Sequence, residues 1–159
     1  MAVHVLNPKS ERGQSLVELA ASLVLLLILL AGLVDLGRLF MNLMALRDAV
    51  QEGALYGAMY PTYCDQIVQR TYESARGSFV GAQDTEVDVY ICANNNQGCT
   101  TACKNAPKTV ACAGNEIRVI IRQPEFPVTM PLIGAFIGQK IPLKSEVTNT
   151  ILRPSCDNN

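Results

Sequence analysis

The chain has 159 residues, 49% hydrophobic and 17% charged, with a formal net charge of −1. That length accommodates one modest domain plus an appendage. The near-neutral balance, without a large basic run, excludes the electrostatic footprint of a nucleic-acid binder, so no nucleic-acid partner is expected.

The first informative stretch is RGQSLVEL, Arg12 to Leu19, which leads into the uncharged run LAASLVLLLILLAGLV from Leu19 to Val34. A helix needs about 20 apolar residues to cross a hydrocarbon layer. Leu16–Leu36 meets that length, with Glu18 and Asp35 near its ends. Lys9 and Arg12, offset by Glu11, precede it. The positive-inside rule then places the N-terminus in the cytoplasm and the rest of the chain outside. A buried core helix is the first alternative, but the run has no polar face. A cleaved secretory signal is the second, with Ser22–Gly32 as its apolar core; no clean A-x-A site follows, and the helical pattern continues.

Beyond the run, Leu36, Leu39, Phe40, Leu43, Leu46 and Val50 recur at helical spacing, with Arg38, Asn42, Arg47 and Gln51 between them. Asp35 and Arg38 are three apart and positioned to neutralise each other. In EGALYGA, Glu52 to Ala58, the small residues Gly53, Ala54, Gly57 and Ala58 let another backbone approach closely. One helix from about Ser15 to Met59 is expected, about 65 Å long, lipid-soluble in its first half and amphipathic in its second. Pro61 marks its stop.

Two readings of Glu18 are compatible. Ser15-Leu16-Val17-Glu18 has the form of a capping box, in which Ser15 caps the helix and Glu18 reaches back to its backbone N–H. A carboxylate also suits the positive end of the helix dipole. On the other reading, Gly13 followed five residues later by Glu18, just before an aliphatic run, resembles the processing signal of type IV prepilins and pseudopilins. The resemblance implies cleavage between Gly13 and Gln14 by a prepilin peptidase, leaving Glu18 as the fifth residue of the mature chain. More specifically, RGQSLVE, VDLGR and EGALYGA resemble the N-terminal region of TadE-like proteins, the minor pilins or pseudopilins of Tad (Flp-type) pilus systems. The family positions then include Asp35, Gly37, Arg38, Glu52, Gly53 and Gly57. Leu19 stands where an aromatic often follows the glutamate, and a dense cysteine cluster is not general to the family.

The remainder reads as an α+β head. Val68, Tyr72, Ala75 and Phe79 share one face of a short helix over Asp65–Phe79, which Gly81 ends. Thr85–Cys92 and Glu116–Gln123 alternate as strands, and Ile141–Leu152 supplies a third. Ala93–Gly114 reads as a loop, and Pro124–Gly138 as a proline-rich segment containing MPLIGAFIG. This apolar piece packs under the helix or near the membrane surface, or else forms a subunit contact centred on Phe136. The cysteines at 64, 92, 99, 103, 112 and 156 fit a disulfide framework in an oxidising compartment. A four-cysteine zinc site is the rival, with Cys99 and Cys103 the closest spacing. The expected bonds are Cys92 with Cys112, or one of these with a cysteine inside the loop, and Cys64 with Cys156.

The expected organisation is a leader over 1–13, a transmembrane segment over 14–36, a stalk over 37–60 and an extracytoplasmic head over 61–159 with a cysteine-rich loop over 92–112. The fold class is α+β: a long N-terminal transmembrane and stalk helix with a small, disulfide-stapled antiparallel sheet, pilin-like. Neither an enzyme nor a cofactor is expected: the single histidine, His4, lies in the leader, and no paired carboxylates or phosphate loop appear. The resemblance implies a bacterial cytoplasmic-membrane protein, head outward, that passes to the pilus. Its partners would be lipid before assembly, the prepilin peptidase, the pilus assembly platform and other subunits through the N-terminal helix. The competing reading is an uncleaved bitopic protein with a stapled binding head in an envelope complex.

Overall fold

The structure, a computed structural model, describes residues 11–77, 85–93, 99, 101–129, 134–135 and 138–156. Helix α1 runs from Glu11 to Met59, 49 residues. At about 1.5 Å per residue that is a rod of roughly 73 Å. Leucine and alanine dominate it and proline is absent, so propensity favours helix throughout. The helix begins four residues before Ser15, so Ser15 is an internal helical residue and the expected capping box does not form. Its far end closes where the Tyr60 N–H bonds Tyr56 O at 3.0 Å, just before Pro61.

The two halves of α1 meet different surroundings. Leu16 through Leu30 are all exposed, and Leu19 is 66% accessible. From residue 42 onward one face is buried, at 42, 45 and 46, 49 and 50, 53 and 54, and 57 and 58. That face is made mostly of Ala and Gly, with Leu46 and Val50 as its large members. Small residues at this spacing bring the helix axis close to whatever it packs against. Leu36, Phe40 and Leu43, expected on the apolar face, are exposed instead, whereas Asn42, expected among the polar positions, is 5% exposed.

Helix α2 spans Cys64–Gly77, with Asp65 in its first turn and Arg76 in its last, both favourable for its dipole. Its buried face is Ile67, Thr71 and Ala75, while Val68 and Tyr72 lie at the margin. The Thr71 hydroxyl donates to Ile67 O at 2.9 Å, which satisfies it inside the core. Phe79 and Gly81 lie outside the described residues.

Among the described residues four antiparallel strands follow: β1 Glu86–Cys92, β2 Thr101–Ala102, β3 Glu116–Pro127 and β4 Lys140–Thr150, in the order β2-β1-β3-β4. The short β2, which pairs Ala102 with Tyr90, falls in a stretch expected to be loop. Two residues carry too little periodicity to be seen in sequence. Val89, Val119 and Val147 form one row across the sheet, and Ile91 and Ile117 begin the next. Strand β3 extends four residues past Gln123, through a register shift between Gln123 and Phe126. A bulge there accommodates Pro124, which has no N–H for a ladder, and returns Phe126 to the buried side.

Helix α1 packs on α2, β3 and β4. Adjacent contacts show that β3 runs opposite to it: Ile117 lies beside Gly57, Val119 beside Gly53, and Phe126 beside Leu36 and Leu39. The last residues of β3 and the first of β4 therefore lie at the level of Gly32 and Asp35. Most of MPLIGAFIG, including Phe136, lies outside the described residues.

The three disulfides join Cys64 to Cys103, Cys92 to Cys99 and Cys112 to Cys156, with Cα separations of 5.8, 4.4 and 5.0 Å. The expected Cys64–Cys156 bond is thus replaced by two bonds, because Cys64 opens α2 beside Cys103 whereas the tail returns to Cys112. Cys92 pairs within the loop rather than with Cys112. The Ala113 N–H donates to Pro154 O at 2.7 Å, which fixes the same return of the tail.

Candidate functional site

The residues singled out in the sequence spread along α1 in three groups. The first is the N-terminal turn. A Cβ at Gly13 would meet no heavy atom within 4 Å, so folding places no packing demand on that glycine. Gln14 and Glu18 are exposed, and Glu18 has no ion-pair partner among the described residues. Around it Leu16, Val17 and Leu19 are 66–70% accessible. An acid thus stands on a bare apolar rod. Ser22, inside the run, donates its hydroxyl to Leu19 O at 2.9 Å and so needs no outside partner in an apolar medium.

The helix is the one candidate membrane span among the described residues, with a mean hydropathy of 2.7 over its most apolar window, none of which is buried. A core helix of a water-soluble domain would be covered, and this one is not. It fits a single-pass anchor. The uncharged run alone measures about 24 Å, short of a hydrocarbon layer of about 30 Å. Its outer face supplies the rest, since Leu36, Phe40, Met41 and Met44 continue the exposed apolar surface past Asp35.

The second group explains why charges at 35 and 38 do not interrupt that surface. The Asp35 side chain is only 13% exposed and lies against the foot of the head, 3.7 Å from Arg38 Nη1. The same Arg38 nitrogen donates to the Thr129 hydroxyl just beyond β3. The buried Asn42, one turn on, donates from Nδ2 to Arg38 O at 2.8 Å. Asp35 also walls a cavity of about 90 Å³ with Gly32, Leu39, Phe126, Val128 and Ile141. Together these residues lock the base of the sheet to the helix. Asn42 and Thr129 did not stand out in the sequence; an asparagine one turn after Arg38 in the run LFMNLM was the available signal. A Cβ at Gly37 would meet nothing within 4 Å, so the described packing makes no use of that position.

The third group is EGALYGA. Glu52 is exposed and shares a groove with Arg70 and Glu73 of α2. A Cβ at Gly53 would overlap the Thr71 hydroxyl, and one at Gly57 would lie 2.6 Å from Ile117 Cδ1 and 3.2 Å from Ile67 Cδ1. The close approach expected from small-xxx-small spacing is therefore made within the chain, by α2 and β3 of its own head. The six cysteines all lie in the head, away from α1's apolar half, and all are bonded.

Geometry thus separates the helix into an uncovered N-terminal half carrying Gly13, Gln14 and Glu18, and a C-terminal half consumed by the head. The family model described as TadE-like protein matches residues 13–55. The match begins at Gly13 and takes in every singled-out helix position except Gly57 and Ala58, so the resemblance read from the sequence is shown over residues 13–55. Neither a curated protein nor a solved structure matches the chain.

Proposed function

We propose that this chain is a minor pilin or pseudopilin of a Tad-type pilus, clipped after Gly13 by a prepilin peptidase and assembled through α1 into the fibre or its tip. One observation carries the reading: an acid at position 18 on an otherwise uncovered aliphatic rod that the TadE-like match enters at Gly13. Near the end of the span, where Glu18 sits, an unpaired charge costs less than the roughly 2.5–3.5 kcal/mol of the bilayer centre, but it still gains from a partner of opposite sign. The new amine at Gln14 of a neighbouring subunit is a partner of suitable charge. Moving Leu19–Val34 from lipid onto equivalent stripes of other subunits changes apolar surroundings for apolar surroundings, so a register-setting ion pair decides the geometry. In this reading the chain performs no catalysis. Its head faces away from the cytoplasm and contributes to surface attachment, and the assembly platform draws the rod out of the membrane.

In the structure the Gly13–Gln14 bond lies in the first turn of α1. A peptidase needs that turn open, which frayed helix ends permit at little cost. The same observation favours the second reading, an uncleaved bitopic protein, if the turn stays closed. Intact mass of the protein co-expressed with a prepilin peptidase decides: a terminus at Gln14 supports processing, and one at Met1 or Ala2 sinks it. Glu18→Ala should then leave membrane insertion intact and impair incorporation into pili.

A further inference from the structure

At the end of α1 remote from its apolar half, about 40 Å along the helix from Asp35, a cleft of about 450 Å³ opens between the start of α2 and the segment after β2. That volume lies within the range of small-molecule sites, which pair an apolar floor with a few convergent polar groups. The floor is apolar and buried: Pro61, Ile91, Ala111 and the bonded pair Cys64 and Cys103. The rim is polar, with Thr62 and Gln66 on the α2 side and Lys108 opposite. Asp65 and Lys104 face each other across it, 2.7 Å apart and both largely exposed. The Cys64–Cys103 bond joins the two walls next to that pair, so the cleft is shaped before anything enters it.

Tyr63 forms one lip and is 52% exposed. Its ring meets Tyr60 edge-on at 6.0 Å, and Tyr60 lies 5.1 Å from Tyr56. Tyr60 is itself 49% exposed, so a supported row of aromatic rings is held at the water boundary beside the cleft.

We infer that this cleft binds a carboxylated saccharide. A purely apolar ligand would strip water from Asp65, Lys104 and Lys108 without replacing it, which is costly. A simple inorganic anion would leave the tyrosine lip and the apolar floor unused. A sugar ring presents C–H faces for Tyr63 and the floor, and hydroxyls that both donate and accept for Asp65, Gln66, Thr62 and Lys104. Lys108 has no carboxylate partner among the described residues, and its ammonium matches a carboxylate on the sugar. This assignment does not depend on the pilus reading.

Isothermal titration calorimetry of the full chain in detergent micelles tests it with three probes: trigalacturonate, maltotriose and inorganic phosphate. Trigalacturonate should bind saturably at one site, with maltotriose at least tenfold weaker and phosphate unable to compete. Tyr63→Ala should weaken trigalacturonate at least tenfold, and Lys108→Ala should bring it down to the level of maltotriose. Both side chains are exposed, so circular dichroism should show unchanged folding. Absence of saturable trigalacturonate binding, displacement by phosphate at similar concentration, or wild-type affinity in both variants would each overturn the assignment.

Discussion

Gly53→Ala probes the tightest position among the described glycines. By propensity alone the change should stabilise α1 by about 1 kcal/mol. The structure demands the opposite sign. The new methyl would occupy the place of the Thr71 hydroxyl and lie 3.2 Å from Thr71 Cβ and 3.6 Å from Val119 Cγ1. Thr71 is fully buried, and its hydroxyl is committed to Ile67 O at 2.9 Å. Overpacking a tight core costs about 1–3 kcal/mol. A buried hydroxyl that loses its partner costs about 1–3 kcal/mol more. Set against the propensity gain, the net loss is about 3 kcal/mol. For a head of this size that corresponds to a fall in melting temperature of roughly 12–24 °C. Near-UV circular dichroism reports the head tyrosines and ignores the micelle-embedded helix, so it is the appropriate assay. Gly53→Ala combined with Thr71→Ala should recover much of the loss, because the two changes share one site and do not add. A single variant that melts at or above the wild-type temperature would refute the packing argument.

Three further outcomes follow from the head. In the chain-entropy model, replacing Cys64 and Cys103, or Cys112 and Cys156, by serine removes closures of 39 and 44 residues and should cost about 4 kcal/mol each, measurable by denaturant unfolding. Losing the seven-residue Cys92–Cys99 closure should cost only about 2.5 kcal/mol, and the reverse order would contradict the pairing. Leu46→Ala, at a fully buried position, should destabilise the head by about 2–5 kcal/mol in the same assay. Hydrogen bonding from Lys144, 2.7 Å away, holds the Glu146 carboxyl below the usual glutamate range. Its contribution to stability is therefore complete above that range and fades as the pH falls through the lowered value. Carboxyl NMR should show the low titration return to the ordinary range in Lys144→Ala; an unmoved titration would assign the shift elsewhere.

The parts of the fold legible in the sequence were those with a strong local period. The aliphatic run, the halt at Pro61, and the three long strands with Val87-Val89-Ile91 and Ile117-Val119-Ile121 alternating inward all appear within a few residues of their expected bounds. What the sequence hid was long-range geometry. Nothing local distinguishes Cys64–Cys103 from Cys64–Cys156, since both require knowing that α2 starts beside the segment after β2. The face of α1 used by the head was misjudged for a related reason. Hydrophobic spacing points to Leu36, Phe40 and Leu43, but the sheet needs close approach, which Ala and Gly supply and leucine does not. The leucines left outside mark the surface that the head does not use. At Gly13 and Glu18 the sequence motif was the whole signal, because Gly13 meets no packing demand and Glu18 has no ion-pair partner among the described residues.

Because α1 is a single unbroken rod, its anchoring and head-bearing halves share one axis and no linker joins them. Traction applied to the head passes straight into the anchoring segment. Since β3 lies alongside that axis and runs counter to it, the load slides two surfaces past each other over several helical turns instead of parting them row by row. Such a joint resists as a whole and yields late.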